Sequence, residues 1–338
     1  MGAKNMRKIQ LGLEGAQGAV HGTPVAATTV WRGEGLIDDN MDLKLGKEDV
    51  GYLVELPRMY VPSLGAALKI NAGPATFEQL PYILNAGVHW AAGVQDGTGS
   101  GYVYTYTWPL GCTPADIATY TVRGGDCDRA DIMEYGFVSD FTLKGASKEA
   151  VSLEANWVGR QATDGAFTDA IAVPSVEEIL FGKTLCSVDS TAPGIIGTTI
   201  LANSLLGFSL KVKTGWTPRW TGDDRLSFTY HAQTGPQITG ELVLEHNATG
   251  VAEFAAARAR AIRLLRLKIK SPTALTTPGT SYSNKTLILD LAIQYTKIPA
   301  LADKDGNDIV TLPFRAVYSP ADSLYAKCIV VNELAVLV

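Results

Sequence analysis

Residues Leu205–Lys270 read LLGFSLKVKTGWTPRWTGDDRLSFTYHAQTGPQITGELVLEHNATGVAEFAAARARAIRLLRLKIK. LLGFSLKVK alternates apolar and polar residues, the period of a strand with one dry and one wet face. A polar tip at Thr221–Arg225 separates TGWTPRW from RLSFTYH, so this part reads as a long hairpin. PQITGELVLEH alternates again. The run VAEFAAARA is rich in helix formers, with Thr249 as the expected cap and Phe254 expected to face the core. RLLRLKIK then returns to period two.

The same plan stands earlier in the chain, between Trp31 and Trp108. A strand around LIDDNMDLKL has Ile37, Met41, Leu43 and Leu45 on a predicted dry face, against Asp38, Asn40, Asp42 and Lys44. GKEDVG is its charged turn, and YLVELPRMYVP is extended, with Pro57 and Pro62 keeping it out of a central ladder. GAALKINAG leads to a helix in TFEQLPYILNAG, opened by a Thr76/Gln79 capping box, and then to YVYTYTW. Trp31 and Leu205 lie 174 residues apart, as do Ile70 and Leu244, while Thr76 and Thr249 lie 173 apart and Gly65 and Gly240 lie 175 apart. Four ordered anchors argue for an internal duplication. After the helix the offset breaks at an extra loop, VQDGTGSG, and YVYTYTW reads as the counterpart of RLLRLKIK.

The rest of the chain fits two β domains. KIQLGLEG is a short alternating strand, and GAVHGTPVAATT reads as an extended arm. IATYTVRGG, EYGFVSDFTLKGA and KEAVSLEANWVG complete an antiparallel set in the first half. Small, turn-rich sequence after Arg160 gives a linker at 166–178, between a first domain at 1–165 and a second at 179–338. ILFGKTLCSVD, TLILDLAIQYTKIP, TLPFRAVYSP and LYAKCIVVNELAVL supply the remaining strands of the second. The fold class is therefore mainly β: two tandem antiparallel β-sandwich or barrel domains, each with a flanking short α-helix and a long hairpin.

Composition narrows the function classes. With 338 residues the chain is long enough for two cores. No apolar run reaches the ~18 residues of a membrane span, and MGAKNMRKIQLG has neither an apolar signal region nor a myristoylation pattern. Cys112, Cys127, Cys186 and Cys328 form no CxxC pair and read as reduced thiols of a protein assembled in cytoplasm. A net charge of −5 opposes tight binding to a polyanion.

Catalytic motifs are missing from the sequence. DKDGND, Asp303–Asp308, has its glycine too early for a calcium loop and reads as an Asp-Gly hairpin turn. GTGSG, Gly97–Gly101, lacks the GK[ST] of a phosphate loop. His21, His89, His231 and His246 are scattered, and no acidic partner at ligand spacing accompanies His231 and His246. Asn247-Ala-Thr and Asn284-Lys-Thr fit a glycosylation pattern that has no secretion signal to support it. No catalytic residue, metal ligand or cofactor site is expected. Arg258, Arg260, Arg263, Arg266, Lys268 and Lys270 form the one strong charge cluster. It lacks interleaved aromatics, which favours a solvated face or a salt-bridged subunit contact over a nucleic-acid groove.

The second half, from ILFGKTLCSVD through GTTILANSLLGFSLKVKTGWTPRWTGDDRLSFTYH and ELVLEHN to IPALADKDGNDIVTLPFRAVYSPADSLYAKCIVVNEL, resembles the tail tube (major tail) proteins of long-tailed siphophages. The first half shares the likeness through the duplication. The resemblance implies a structural, non-enzymatic subunit whose tube domains close a six-domain ring, three chains per ring when duplicated, stacked into a tube that conducts DNA. The implied partners are other copies of the chain, a tape measure protein inside, terminator and distal tail proteins at the ends, and genomic DNA in transit. The implied location is the virion tail, assembled in the host cytoplasm. On that reading alternation nominates Asp38, Asn40, Asp42, Lys44 and Lys69 in the first half for the lumen. In the second half it nominates Ser209, Lys211, Lys213, Thr239, Glu241 and Glu245. The hairpin tips Lys47, Glu48 and Asp49, and Thr221, Gly222, Asp223, Asp224 and Arg225, are expected to contact the neighbouring ring. The rivals are a tube subunit of a contractile tail or secretion system, and a carbohydrate-binding β-sandwich or glycosidase. The last would want exposed aromatics on one sheet face with paired carboxylates, and Trp216 and Trp220 are its only hint.

Overall fold

The computed structural model describes residues 6–15, 22–54, 57–111, 116–192, 194–298 and 300–337. The opening MGAKN, residues 16–21 with His21 at the start of the arm, and Cys112 lie outside the described residues. The fold is mainly β-sheet with two short helices. The first half runs β1 (Lys8–Gly15), β2 (Thr29–Trp31), β3 (Gly35–Asp39), β4 (Asp42–Leu45), β5 (Met59–Ser63) and β6 (Ala66–Pro74). Helix α1 (Leu80–Gly87) follows, then β7 (Val94–Gln95), β8 (Tyr102–Thr107), β9 (Thr119–Gly125), β10 (Ala130–Ala146), β11 (Ser152–Gly159) and β12 (Ala162–Gly165). The second half runs β13 (Thr184–Ser190), β14 (Leu205–Lys213), β15 (Trp216–Arg219), β16 (Tyr230–Gln233) and β17 (Gln237–Glu245). It closes with α2 (Ala248–Ala259), β18 (Ile262–Ala274), β19 (Asn284–Tyr295), β20 (Ala302–Lys304), β21 (Asn307–Ala316) and β22 (Ala326–Asn332). Among the described residues no helix is long and apolar enough to cross a membrane.

One antiparallel sheet crosses the whole chain in the order β3, β6, β11, β10, β14, β17, β21. Its middle ladder, β10 against β14, joins the two halves, with Asp140 opposite Lys213 and Ala146 opposite Gly207. β10 reaches this ladder because it is 17 residues long: its first part pairs with β9 and β12, and its last part turns into the crossing sheet. A second set of strands, β2–β1–β9–β10–β12, is continuous with the crossing sheet through β10 in the first half, and β13–β18–β19–β22 joins it through the β19–β21 pairing in the second. The apolar faces share one core. Tyr120 of β9 meets Trp157 of β11 edge-on at 5.9 Å, and Phe181 stacks on Phe208 at 6.1 Å beside the β10–β14 ladder. Gly145 sits under those two rings, where a Cβ would lie 2.5 Å from Phe208 and 2.7 Å from Phe181.

The ladders of the two halves repeat. β3 on β6 on β11 matches β14 on β17 on β21, and β1 on β9 on β10 matches β13 on β18 on β19. The counterpart of RLLRLKIK is therefore TYTVRGG in β9, and YVYTYTW is not its match. β8 instead lies on β22 of the second half, Thr107 opposite Lys327. Alternation gives a strand its faces but not its partner, so the insertion after the first helix is larger than VQDGTGSG alone.

Other expectations are revised at single residues. Asn247 caps α2: its side chain accepts the N–H groups of Thr249 and Gly250, both at 3.0 Å, and Thr249 lies inside the first turn. Phe254 is only half-buried, while Glu253 takes the inward position. In the first half Thr76 accepts the Gln79 N–H at 3.3 Å, but the regular helix starts at Leu80, with Pro81 in its first turn. The expected dry face of LIDDNMDLKL is not dry. Ile37 packs against the core, but the chain breaks after β3, and among the described residues β4 pairs only with β5, in a separate two-stranded ribbon where Met41, Leu43 and Leu45 are exposed.

The predicted linker lies against the body of the protein. Thr168 exchanges hydrogen bonds with Gln10, and Phe77 donates to the Glu177 carbonyl. At Asp303–Asp308 the structure has a two-residue hairpin turn, Asp305 and Gly306 both at positive φ between the paired Lys304 and Asn307.

Candidate functional site

The crossing sheet has one dry face and one wet face because every strand in it alternates. On the dry side Leu68, Trp157, Phe141, Val212, Leu242 and Leu312 are buried. On the wet side the ladders set charges in rows. One row runs Lys69, Asn156, Asp140 and Lys213, and the next runs Thr142, Lys211, Thr239 and Arg315. A third places Lys144 opposite Ser209, and Ser209 opposite Glu241. Lys69 Nζ lies 2.9 Å from Glu154 Oε1, and Asn156 donates to Asp140 at 2.8 Å. Lys69 is held above the usual lysine value by its hydrogen bond and charge contact with Glu154. No described residue in these rows is aromatic, and both signs of charge occur on the face.

Of the nominated residues, Asp38, Lys69, Ser209, Lys211, Lys213, Thr239 and Glu241 share this face. Glu245 stands at the end of β17, opposite Ile309 and 3.4 Å from the Asn307 side chain. Asn40, Asp42 and Lys44 are outside the sheet. Asn40 donates its backbone N–H to Gly65, and Asp42 and Lys44 form a 3.4 Å pair on the β4–β5 ribbon. The face also contains Asp140, Thr142, Lys144, Glu154, Asn156 and Arg315, which the sequence reading passed over. SDFTLKG and SLEANWV alternate as plainly as LLGFSLKVK, so the same signal could have found most of them.

The hairpin tips are exposed. Lys47, Glu48 and Asp49 lie in the turn between β4 and β5, with Glu48 against Arg58. Thr221–Arg225 lies between β15 and β16, with a 2.6 Å Thr221–Asp223 hydrogen bond and Asp224 at positive φ. The body of the second hairpin is covered. Trp216 packs edge-on to His231, and Tyr135, Phe137 and Phe228 complete an aromatic cluster with Ile117.

His231 does have an acidic partner. Its Nε2 lies 3.1 Å from Asp116 and its Nδ1 lies 3.0 Å from the Tyr135 hydroxyl. Asp116 is 115 residues away in sequence, so no local spacing could reveal it. Among the described residues no group of three or more His, Cys, Asp or Glu is placed to hold a metal ion. The Cys186 thiol is pushed up to about 12 and the Cys328 thiol is also raised, in both cases chiefly by burial. A thiolate is therefore disfavoured at either.

Two members of the basic cluster are neutralised inside the chain. Arg263 reaches Glu253, and Arg266 grips Asp290 through two bonds of 2.6 and 2.8 Å. Lys268 is lowered by burial first, and then by Lys270 and Arg266. A further, half-buried clasp joins the halves and the linker: Lys285 Nζ lies 2.6 Å from Glu78 and 3.3 Å from Glu177. Set beside family models and curated proteins, the chain matches none of them.

Proposed function

We propose that the chain is the structural subunit of a tube, three copies closing a ring and rings stacking along an axis. The observation that carries this reading is the β10–β14 ladder. Within one chain it joins the trailing edge of the first half to the leading edge of the second. The same two edges recur, unused, at the ends of the sheet: among the described residues β3 pairs only with β6, and β20 only with β21. β3 is the counterpart of β14, and β20 continues the path that β10 follows in the first half. A second copy can therefore add its β3 to this chain's β20, head to tail. Such a contact either closes or propagates, and closure removes the exposed edges.

In this reading each half is a tube-type β-sandwich, and the wet face lines the channel. DNA carries one charge per ~1.7 Å, so a wall of mixed charge without stacking aromatics lets it pass without tight binding. The specific form we favour is the tail tube of a long-tailed phage, with a tape measure protein inside and terminator and distal proteins at the ends. A tube of a contractile tail or secretion system would use the same ladders and differs in what surrounds it. A carbohydrate-binding surface is less well supported, because Trp216 is buried and the wet face has no aromatic platform.

Negative-stain microscopy of the purified protein tests the reading. Hollow rings or tubes with threefold symmetry are expected. A protein that stays monomeric at all concentrations, with both sheet edges open, overturns it.

A further inference from the structure

The second hairpin, β15–β16, folds back on the first half. Trp216 is 5 % exposed there and Phe228 is fully buried. Arg160 fixes the returning limb, its Nε donating to the Phe228 carbonyl at 3.0 Å and its terminal nitrogen to the Thr229 carbonyl at 3.1 Å. The first hairpin, β4–β5, has the same place in its own half. The matching ladders carry the pair Leu45–Met59 onto the pair Trp216–Gln233. Yet among the described residues this hairpin has no seat in its own chain: Leu43 is 54 % exposed, Leu45 65 %, Tyr52 71 % and Met59 61 %. A two-stranded ribbon is marginal alone, and contiguous exposed apolar side chains of this size mark a contact surface.

The seat also recurs. The registers of β11 and β21 carry Arg160 onto Arg315, and those of β10 and β19 carry Phe137 to the position of Thr296. In the first half this seat is filled by the chain's own hairpin. In the second half it is an open cleft of about 550 Å³, lined by Arg258, Gln294, Thr296, Ile298 and Arg315. Among the described residues neither Arg258 nor Arg315 pairs with a carboxylate; Arg258 lies over the Phe254 ring and Arg315 reaches Gln294 at 3.5 Å.

We propose that the β4–β5 hairpin of a second copy of this chain occupies the cleft, with Arg315 donating to its backbone carbonyls as Arg160 does within the chain. The occupant follows from continuity. β14 beside β10 delivers β15–β16 to Arg160. β3 leads into β4 just as β14 leads into β15, so a second β3 laid beside β20 delivers β4–β5 to Arg315. The proposal rests on the head-to-tail ring and adds the residues that lock it, in the plane of the ring and not between stacked rings.

Cross-linking separates the two. In a chain with Cys112→Ser and Cys127→Ser, Leu45→Cys and Thr296→Cys are joined by a short bis-maleimide. Covalent dimers and trimers are expected from the double variant and from neither single variant, in isolated rings as well as tubes. Arg315→Ala should weaken association about tenfold, the effect of losing ~1.4 kcal/mol, which is less than two charge-assisted hydrogen bonds supply. Rings that form without cross-linking would overturn the hairpin seat and leave the ring standing. Cross-links found in tubes but absent from isolated rings would move the contact to the axial interface and also overturn it. Monomers alone would remove both readings.

Discussion

Asp189 is a buried carboxylate that ties a loop to β13. Its oxygens accept the backbone N–H groups of Gly197, Thr198 and Thr199 and the Thr198 hydroxyl, at 2.6–3.1 Å. Burial opposes the charged form and is the largest single influence, but the hydrogen bonds together hold Asp189 below the usual aspartate value. A depressed pKa gives stability that is complete above the unfolded value and is lost as pH falls through the folded one. Asp189→Asn should therefore lower the melting temperature at neutral pH, and its deficit should shrink below about pH 4 as the native carboxylate protonates. A deficit independent of pH, measured by thermal scans across the acid range, would contradict this. Lys285 has the opposite sign. Burial lowers it, yet Glu78 and then Glu177 hold its ammonium above the ordinary lysine value. Its contribution is complete below the unfolded value of about 10.5 and is lost as pH rises through the folded one. Lys285→Met leaves two carboxylates facing each other and should cost about 1–2 kcal/mol in denaturant unfolding, less than a fully buried pair because Lys285 and Glu177 are half-buried. Adding Glu78→Gln and Glu177→Gln should restore most of that loss.

The elements show where sequence patterns inform and where they stop. Asn247→Ala should cost α2 about 1 kcal/mol, while Thr249→Ala should change its stability by no more than a few tenths, as circular dichroism during unfolding can compare. Thr249 was the expected cap because threonine is a good one, but Asn247 is the residue in extended backbone, and only the backbone angles decide. Alternation located nearly every strand and the dry and wet sides of β6, β14 and β17. It could not tell that β4 leaves the sheet, because a covered apolar face and one awaiting a partner read alike. Nor could it place β8, whose partner lies in the other half. Gly145 is invisible to pattern as well: it looks like turn punctuation, yet Phe181 and Phe208 lie over it. Gly145→Val should disrupt the ladder between the halves and cost at least ~2 kcal/mol by overpacking, read as a lower denaturant midpoint.

For the whole molecule, the proposed channel wall makes a separable prediction. Glu154 and Glu241 stand on the wet face, away from the open edges and the hairpin cleft. Glu154→Lys with Glu241→Lys should leave assembly intact and slow DNA passage, since wall charges act on the duplex within the ~8 Å screening length at physiological salt. Loss of ring formation in that variant, or ejection at the normal rate, would show that another face meets the DNA. The wet face was therefore partly legible: alternation put seven of the nominated residues on one side of the crossing sheet, and the ladders added the rows contributed by β10 and β11.

The strand that the first half lends to the second also sets a clock. Thr107 of β8 must wait for Lys327 of β22, 220 residues later in synthesis. At roughly 5–20 residues per second a ribosome needs on the order of ten to forty seconds to cover that distance. Throughout that interval a nascent chain presents YVYTYT, an alternating aromatic strand with one edge lacking its final neighbour. Crowded polysomes would then bring many such edges together, and the rate at which the last strand emerges, more than final stability, would govern the yield of soluble subunit.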